Sequence, residues 1–392
     1  MVSKKLKFLY TDIGRGHPFY LDGIIEEMNR SGQIKLAHSK SNVFEESKGF
    51  NLLLWKLVRF LYKQGGKDNL ISSLYAKLRK NSEYNNGSLL ISLLGTQIKK
   101  KYFTDKYPLI VAHPILVAIL KGKSNLIYQH GEVITPKEAV VDGASKILVP
   151  TQYSAQPFLS MYSNELIHIT GLCIEPALVR IAKDAYKDRL QRLKSPMPLT
   201  GCFISSGAEP ISHVHIIIES LISHLQKDGK VFLFVKKNGI LEKEIELRNE
   251  LKTIAQIKLK SLERIPYDLP PLTIIQYNSR RDENRFVAHF FSEFDFFVSP
   301  SHERTNWAIG LGIPMFITDP PIGPFSPLNR QLLIESETAH PIISLKDAKK
   351  FAFTLKKLHI NQSLVAMSQN GWGKYPINGF KEIVAFLQNM FE

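Results

Sequence analysis

A short glycine-containing loop near the N-terminus places a histidine where acid–base chemistry could occur. The run Gly14-Arg15-Gly16-His17 follows a predicted strand, Leu6–Tyr10, and precedes a helix predicted over 18–30. Glycines let the backbone approach a ligand, and the start of a helix attracts anionic groups. His17 could remove a proton from a hydroxyl group. The alternative is a tight turn that His17 caps, and the three-glycine dinucleotide fingerprint is absent.

A second loop of small residues occupies the equivalent position in the other half of the chain. Ser206 and Gly207 follow a predicted strand, Leu199–Ser205, and precede a predicted helix, His213–Leu225. Backbone amides in such a turn can hold a diphosphate, although a plain strand–helix connection has the same sequence pattern. His213 and His215 would lie on different faces of the helix, so we expect no metal site here.

The third group of polar residues is the largest. It follows the predicted strand Phe294–Val298 and comprises Ser301, His302, Glu303, Arg304, Thr305 and Asn306. A Gly312-Ile313-Pro314 turn and a further strand come next, and Asn329 follows a Pro/Gly-rich loop. Hydroxyl, amide and guanidinium groups after a buried strand could bind the ribose and phosphate oxygens of a nucleotide.

A smaller group of polar residues follows the strand that ends at Tyr128. His130 and Glu132 lie at this strand end and could orient the hydroxyl group of an acceptor. The alternative is that they are buried polar residues that satisfy loop amides.

Strand-like apolar runs alternate with helical periodicity along nearly the whole chain, which predicts an α/β fold with parallel sheets. The pattern restarts after a proline pair, Pro196 and Pro198. We therefore predict two Rossmann-like domains, residues 1–170 and 199–392, joined by a linker over 171–198. The last helix could pack back on the N-terminal domain.

Positive charge is concentrated in one segment. The chain carries 51 Lys and Arg against 36 Asp and Glu, and residues 47–106 hold 12 basic and 3 acidic residues, a net charge of +9. Large apolar residues share this segment, which is typical of a helix in a membrane interface. The residues predicted to face the membrane are Trp55, Lys56, Arg59 and Lys63. An ordinary solvated basic face is the alternative, and no nucleic-acid-binding motif is present.

No apolar run reaches the length of a membrane span, and two cysteines, Cys173 and Cys202, do not form a disulfide framework. The N-terminal apolar stretch is too short for a signal peptide. These features predict a cytoplasmic protein, with peripheral attachment to the inner face of the membrane.

Taken together, these motifs resemble those of the GT-B glycosyltransferases. The resemblance is greatest to the monogalactosyl- and glucosyl-diacylglycerol synthases and the lipid-intermediate N-acetylglucosaminyltransferases. It rests on the Gly14–His17 loop, on Thr170–Pro176 as the entry between domains, and on Asp295–Pro314 followed by Asn329. It covers most of the chain through scattered short motifs.

The resemblance implies two Rossmann-like domains around a central cleft, with His17 as the catalytic base. It implies that a UDP-linked sugar binds mainly to the C-terminal domain, through the 301–306 residues named above and Asn329. We expect Gly14, Arg15 and Gly16 of the N-terminal domain and the Ser206-Gly207 turn to contact the donor as well. The acceptor would be lipid-like and would be presented at an anionic membrane surface. The resemblance also implies catalysis without a metal ion or other cofactor, and the chain contains no Asp-x-Asp motif.

One residue departs from the family pattern. Trp307 stands where the family carries a glutamate that contacts the nucleotide ribose, and Glu303, one helical turn earlier, could replace it. Two alternatives therefore stay open: a UDP-sugar epimerase of the same fold, and a non-catalytic protein that binds nucleotide-sugars. The paired acidic and arginine motif expected of an epimerase is not apparent.

Overall fold

The computed structural model describes residues 5–11, 13, 16–32, 37–65, 89–196, 198–302 and 304–390, and side chains are described at all of these except 16, 17 and 62–65. The chain divides into two compact units. The first contains residues 1–176 and 376–392, and the second contains residues 177–375.

The first unit contains a six-stranded parallel sheet with the order β2-β1-β3-β4-β5-β6. Its strands are β1 Lys5–Tyr10, β2 Ala37–Asn42, β3 Leu109–Val111, β4 Leu126–Gln129, β5 Lys146–Val149 and β6 Ile167–Ile169. Its α-helices are Gly16–Ser31, Val43–Glu46, Gly49–Gly65, Leu89–Tyr102, Pro114–Ile119, Gln152–Ala155 and Gly379–Asn389. Short 3₁₀ helices cover Lys137–Ala139, Gln156–Ser160 and Asn164–Leu166.

The second unit contains a seven-stranded parallel sheet with the order β13-β12-β11-β7-β8-β10-β9. Its strands are β7 Thr200–Ile204, β8 Lys230–Lys236, β9 Gln256–Leu259, β10 Leu272–Tyr277, β11 Phe296–Ser299, β12 Met315–Thr318 and β13 Ala339–Ile342. Its α-helices are Pro176–Leu193, whose first residue belongs to the first unit, Ile211–Leu225, Ile240–Glu246, Asn249–Lys252, Arg280–Phe290, Thr305–Leu311, Ser326–Glu335, Leu345–Lys349, Phe351–Ile360 and Ser363–Gly371. A 3₁₀ helix covers Phe291–Glu293.

The C-terminal helix packs on the first helix of the chain. Phe380 contacts Phe19 edge to face, with ring centroids 5.8 Å apart. This close approach requires a glycine at position 23, because a Cβ atom there would lie 2.1 Å from the Phe380 ring. The contact covers one face of the first sheet with residues from both ends of the chain.

Aromatic side chains fill the core of the second unit. Phe296 on β11 packs against Phe203, Phe316 and Phe351, at centroid distances between 5.5 and 6.0 Å. This face is largely apolar, and the buried His224 is a polar residue within it, with its ring centroid 5.2 Å from that of Phe296.

The predicted α/β fold with two parallel sheets is confirmed. Apolar runs predict nine strands, and each is present within one or two residues of its expected ends: 6–10, 109–112, 125–128, 146–149, 199–205, 230–235, 272–277, 294–298 and 314–317. Four further strands are found: β2, β6, β9 and β13. All four lie at the edges of their sheets. An edge strand is covered on fewer sides, so it needs no continuous apolar run, and a search for such runs misses it.

Candidate functional site

The order of the seven strands defines a crevice at one edge of the second sheet. The chain starts at β7, adds β8 and β10 on one side, and then returns to add β11 and β12 on the other side. β7 and β11 are neighbours in the sheet, and the loops that follow them at the carboxyl edge run in opposite directions, toward β8 and toward β12. Ligands of open parallel sheets bind at such switch points.

The loop after β7 presents an exposed turn. Ser205 is buried at the end of the strand, Ser206 is half-buried and Gly207 is exposed. Glu209 closes the turn with a left-handed backbone, and its carboxylate accepts a hydrogen bond from the Ile240 amide at 2.5 Å. The Glu209 contact thus anchors the end of the turn, and Gly207 is its exposed position.

The structure brings Ser301 and Asn329 together. The Asn329 side-chain amide donates to the Ser301 carbonyl oxygen at 3.2 Å, and the Ser301 hydroxyl lies 2.8 Å from the Ser326 hydroxyl. The loop after β11 is therefore fastened to the helix Ser326–Glu335. Both residues belong to the donor-binding signature predicted from the sequence, and the structure shows that they are in contact.

Arg304 forms a buried ion pair with Glu283, which lies on the helix Arg280–Phe290. Its guanidinium carbon also lies 5.5 Å from the centre of the Trp307 ring. The side chain thus makes contacts inside the second unit, and these contacts hold the start of the helix Thr305–Leu311. The other end of that helix is held by the buried Arg189, which donates to the Leu311 carbonyl oxygen at 3.1 Å.

Trp307 belongs to the apolar core of the second unit. Its ring packs against Phe291 and Phe297, at centroid distances of 5.8 and 5.6 Å, and the side chain is buried. The tryptophan thus fills space between β11 and the preceding helix. Glu303, its possible substitute, lies outside the described residues.

Four buried side-chain oxygens at this edge have no hydrogen-bond partner among the described residues: those of Ser205, Thr305, Thr318 and Asn329. Ser205 and Thr318 lie at the ends of β7 and β12. Thr305 begins the helix that follows β11, and Asn329 lies on the helix that follows β12. A buried polar group without a partner costs about 1–3 kcal/mol. A buried oxygen of this kind is a position where ordered water or a polar group of a ligand would bind.

Thr305 and Asn329 are among the site residues predicted from the sequence, and Ser205 and Thr318 are not. Both are small hydroxyl residues at the last or next position of an apolar strand, and that pattern could have identified them. His302 is half-buried and Asn306 is buried, and both make further interactions within the protein.

In the first unit, much of the loop after β1 lies outside the described residues, namely Asp12, Gly14 and Arg15. The helix begins at Gly16, so His17 lies in its first turn, but its side chain is not among those described. The sheet order places β3 next to β1, so this loop leaves the switch point of the first sheet.

His130 lies inside the first unit. Its Nε2 atom is 3.0 Å from the Ile134 carbonyl oxygen, which can only accept, so Nε2 carries a proton. Nε2 is also 2.9 Å from the Thr135 hydroxyl, and Nδ1 is 3.5 Å from the Tyr128 hydroxyl. These contacts fix the ring, and Glu132, two residues on, is half-buried.

The structure corrects one membrane-facing prediction. Trp55 is 0% exposed and its indole donates to the Leu94 carbonyl oxygen at 3.2 Å, so the prediction that it faces the membrane is wrong. The tryptophan lies on the inner side of its helix, where it fixes the helix Leu89–Tyr102. Lys56 is exposed, the guanidinium of Arg59 lies over the Phe44 ring at 4.3 Å, and the Lys63 side chain lies outside the described residues.

Within the described parts of the chain, no helix is long and apolar enough to cross a membrane. The two cysteines are buried, and burial raises the pKa of each thiol.

No protein-family model matches the chain, and no curated protein sequence matches it. Solved structures do match. A putative UDP-N-acetylglucosamine 2-epimerase from Listeria monocytogenes superposes with a TM-score of 0.56 and 13% identity, over 99% of this chain and 97% of that one. The Neisseria meningitidis UDP-GlcNAc 2-epimerase bound to UDP-GlcNAc gives a TM-score of 0.54 and 13% identity, over 98% and 100%.

The glycotransferase of kitacinnamycin gives a TM-score of 0.52 and 10% identity, over 98% of each chain. Identities this low establish the fold and nothing finer. Each match covers nearly the full length of both chains, and the two units each contain a parallel sheet flanked by helices. The chain therefore has the two-domain, Rossmann-like GT-B fold.

Proposed function

We propose that the protein binds a UDP-sugar at the carboxyl edge of the second sheet and transfers the sugar to a lipid or other hydrophobic acceptor at the membrane surface. The observation that carries the proposal is the set of four buried oxygens without a partner among the described residues, on Ser205, Thr305, Thr318 and Asn329, along the sheet edge that contains the β7–β11 switch point. One solved protein of this fold, the Neisseria meningitidis UDP-GlcNAc 2-epimerase, has UDP-GlcNAc bound.

The chemistry of these four side chains suits a nucleoside diphosphate. The hydroxyl groups of Ser205, Thr305 and Thr318 can donate to phosphate or ribose oxygens, and the Asn329 amide oxygen can accept from a ribose hydroxyl. The exposed Ser206-Gly207 backbone can supply N–H groups to the diphosphate. These contacts would stabilise the charge that develops on the leaving UDP.

The reaction follows from the predicted base. An acceptor hydroxyl oxygen attacks the anomeric carbon while His17 removes its proton, and the bond between that carbon and the diphosphate oxygen breaks. The electron pair of that bond leaves with UDP. His17 then returns its proton to solvent, so the enzyme is unchanged.

An exposed apolar stripe in the first unit supports a membrane-bound acceptor. Phe50, which is 67% exposed, shares the outer side of its helix with Leu53, Leu57 and Phe60, and the neighbouring helix adds the exposed Leu89. Lys56 lies beside the stripe and is exposed. Large apolar side chains next to lysines on one helical face are typical of a segment at an anionic bilayer surface.

Epimerisation of a UDP-sugar is the second candidate, because several proteins of the same fold are described as UDP-GlcNAc 2-epimerases. The two reactions differ in what happens to UDP. Epimerisation at C2 leaves the sugar linked to UDP and exchanges the hydrogen on C2 with solvent. Transfer releases UDP and leaves that hydrogen in place.

Incubation in deuterated water with UDP-glucose, UDP-galactose or UDP-N-acetylglucosamine separates the candidates. Membrane lipid vesicles supply the acceptor, UDP is measured by chromatography, and deuterium at C2 by NMR. We expect UDP release that depends on the vesicles, with no deuterium at C2. Deuterium without net UDP release would establish epimerisation instead, and binding of UDP without turnover would establish a non-catalytic protein.

The variant His17→Ala tests the base within the same experiment. We expect a rate lower by about 100-fold or more, with UDP affinity preserved. His289→Ala, at an exposed position of the helix Arg280–Phe290, is the matched control and should not change the rate. Equal turnover by wild type and His17→Ala would remove His17 as the base.

A further inference from the structure

The second unit carries an apolar surface that its core does not explain. Four large side chains between positions 343 and 360 are exposed: Ile343, Leu345, Phe353 and Ile360, of which Phe353 is 74% and Ile360 70% exposed. Phe353 and Ile360 are seven residues apart on one helix, so they lie on the same side of it.

The inner side of the same segment is already packed. Ala348, Phe351 and Leu355 are buried in the core of the unit, and Leu358 packs against it. These residues anchor the two short helices Leu345–Lys349 and Phe351–Ile360. The outer apolar residues therefore add nothing to the core, and a soluble surface helix would normally have polar residues in their place.

Positive charge surrounds the exposed apolar residues. The segment 343–360 contains five lysines, Lys346, Lys349, Lys350, Lys356 and Lys357, and a single acidic residue, Asp347. The Asp347 carboxylate accepts from the Ser344 hydroxyl at 2.7 Å, and its amide donates back to that hydroxyl at 3.2 Å. The acid thus serves as part of a helix cap and leaves the lysines in excess.

We propose that this surface of the second unit, the 343–360 surface, binds an anionic lipid bilayer, separately from the stripe on the first unit. Exposed phenylalanine and isoleucine side chains would enter the interface while the lysines contact lipid phosphates. Charge complementarity selects this occupant. An acidic protein would match the lysines, but the exposed phenylalanine and isoleucine side chains among them fit the apolar part of a bilayer interface.

The 343–360 surface starts at the same edge of the second sheet as the candidate nucleotide site. It begins directly after β13, and the loops of the candidate nucleotide site follow β7, β11 and β12 of the same parallel sheet. Both therefore start at the carboxyl edge of one sheet. Attachment through the 343–360 surface would hold the edge that binds the donor close to the lipid. The inference rests on the membrane part of the proposed function and needs no particular reaction.

A fluorophore at position 353 tests the contact locally. In the full-length chain, the variant Phe353→Cys is labelled with a polarity-sensitive dye, since the native Cys173 and Cys202 are buried and their thiols are inaccessible. Leu247→Cys is the matched control, because Leu247 is 72% exposed in the same unit. We expect a blue shift at position 353 with phosphatidylcholine–phosphatidylglycerol vesicles and none at position 247.

The lysines are tested by charge removal. We expect Lys356→Gln combined with Lys357→Gln to weaken binding to these vesicles by roughly 25-fold, at about fivefold for each lysine. Lys183→Gln combined with Lys187→Gln, on exposed positions of another helix, should leave the affinity unchanged. Equal affinity of the two double variants would overturn the proposal.

A dye at Leu53→Cys separates this inference from the proposed function. A blue shift at position 53 without one at position 353 would overturn the inference. The membrane contact of the first-unit stripe would then stand without it. Signals at position 353 that are the same with pure phosphatidylcholine would also overturn it, because the lysines would then have no role. Loss of UDP turnover with both signals intact would count against the proposed reaction alone.

Discussion

The side-chain amide of Asn329 donates a hydrogen bond to the carbonyl oxygen of Ser301 at 3.2 Å, across 28 positions of sequence. This bond uses the nitrogen of the amide and leaves its oxygen buried and without a partner among the described residues. Asn329 therefore connects two loops of the candidate site, and its oxygen is the acceptor that we propose for the ligand.

Replacement of Asn329 by leucine should weaken UDP binding by about fivefold, because a hydrogen bond in such a site contributes about 1 kcal/mol. Titration calorimetry with UDP measures the effect. Asn370→Leu, at an exposed position of the same unit, is the control and should bind UDP like wild type. Unchanged affinity in Asn329→Leu would remove this residue from the site.

The buried pair Arg304–Glu283 should matter for stability. We expect Glu283→Ala to lower the free energy of unfolding by about 3–5 kcal/mol, because it leaves a buried guanidinium without its carboxylate. Urea unfolding measures this. The exposed pair Lys121–Asp142 is the comparison, and Asp142→Ala should cost less than about 1 kcal/mol. Similar losses in both variants would contradict the inferred burial.

His224 should make stability depend on pH. Burial lowers the pKa of its imidazole to about 4, and its Nε2 atom is 2.9 Å from the Leu199 carbonyl oxygen. The unfolded chain, with a pKa near 6.5, binds the proton more readily, so stability is full above about pH 6.5 and falls as pH decreases toward 4. The loss is about 3 kcal/mol.

The variant His224→Gln keeps a side-chain donor and has no titrating group, so its stability should fall less between pH 6.5 and 4. Chemical unfolding at a series of pH values measures the difference. His215→Gln, at a partly exposed position of the same helix, is the control and should follow wild type. Parallel curves for His224→Gln and wild type would assign the pH dependence to other groups.

Replacing Trp55 should change stability and replacing Leu53 should change membrane binding, although the two residues lie only two positions apart. We expect Trp55→Ala to lower the free energy of unfolding by about 3–5 kcal/mol, because the side chain is fully buried. Leu53→Ser should leave stability nearly unchanged and weaken co-sedimentation with anionic vesicles. The reverse pattern would contradict the orientation of this helix.

The sequence predicted the central strands because each is an apolar run between turn signals. It missed β2, whose residues Ala37–Asn42 are mostly polar, because an edge strand is held by backbone hydrogen bonds and needs little apolar surface. Pairing of strands distant in sequence, such as β7 with β11, also left no local pattern.

Part of the candidate site could also be predicted, because apolar runs show where strands end. Strand ends could be located from sequence, and with them the loops that contain Ser206 and Ser301. Trp55 could not be placed correctly, because the pattern of a helix shows which residues share a face but not which face packs inward. The contact of Trp55 with Leu94 depends on a second helix 39 positions away.

A crystal structure of the protein with UDP tests the central claim most directly. The account predicts that the diphosphate and ribose lie at the carboxyl edge of the second sheet, within hydrogen-bond distance of Ser205, Thr305, Thr318 and Asn329. UDP bound at any other place, or no UDP at millimolar concentration, would contradict it.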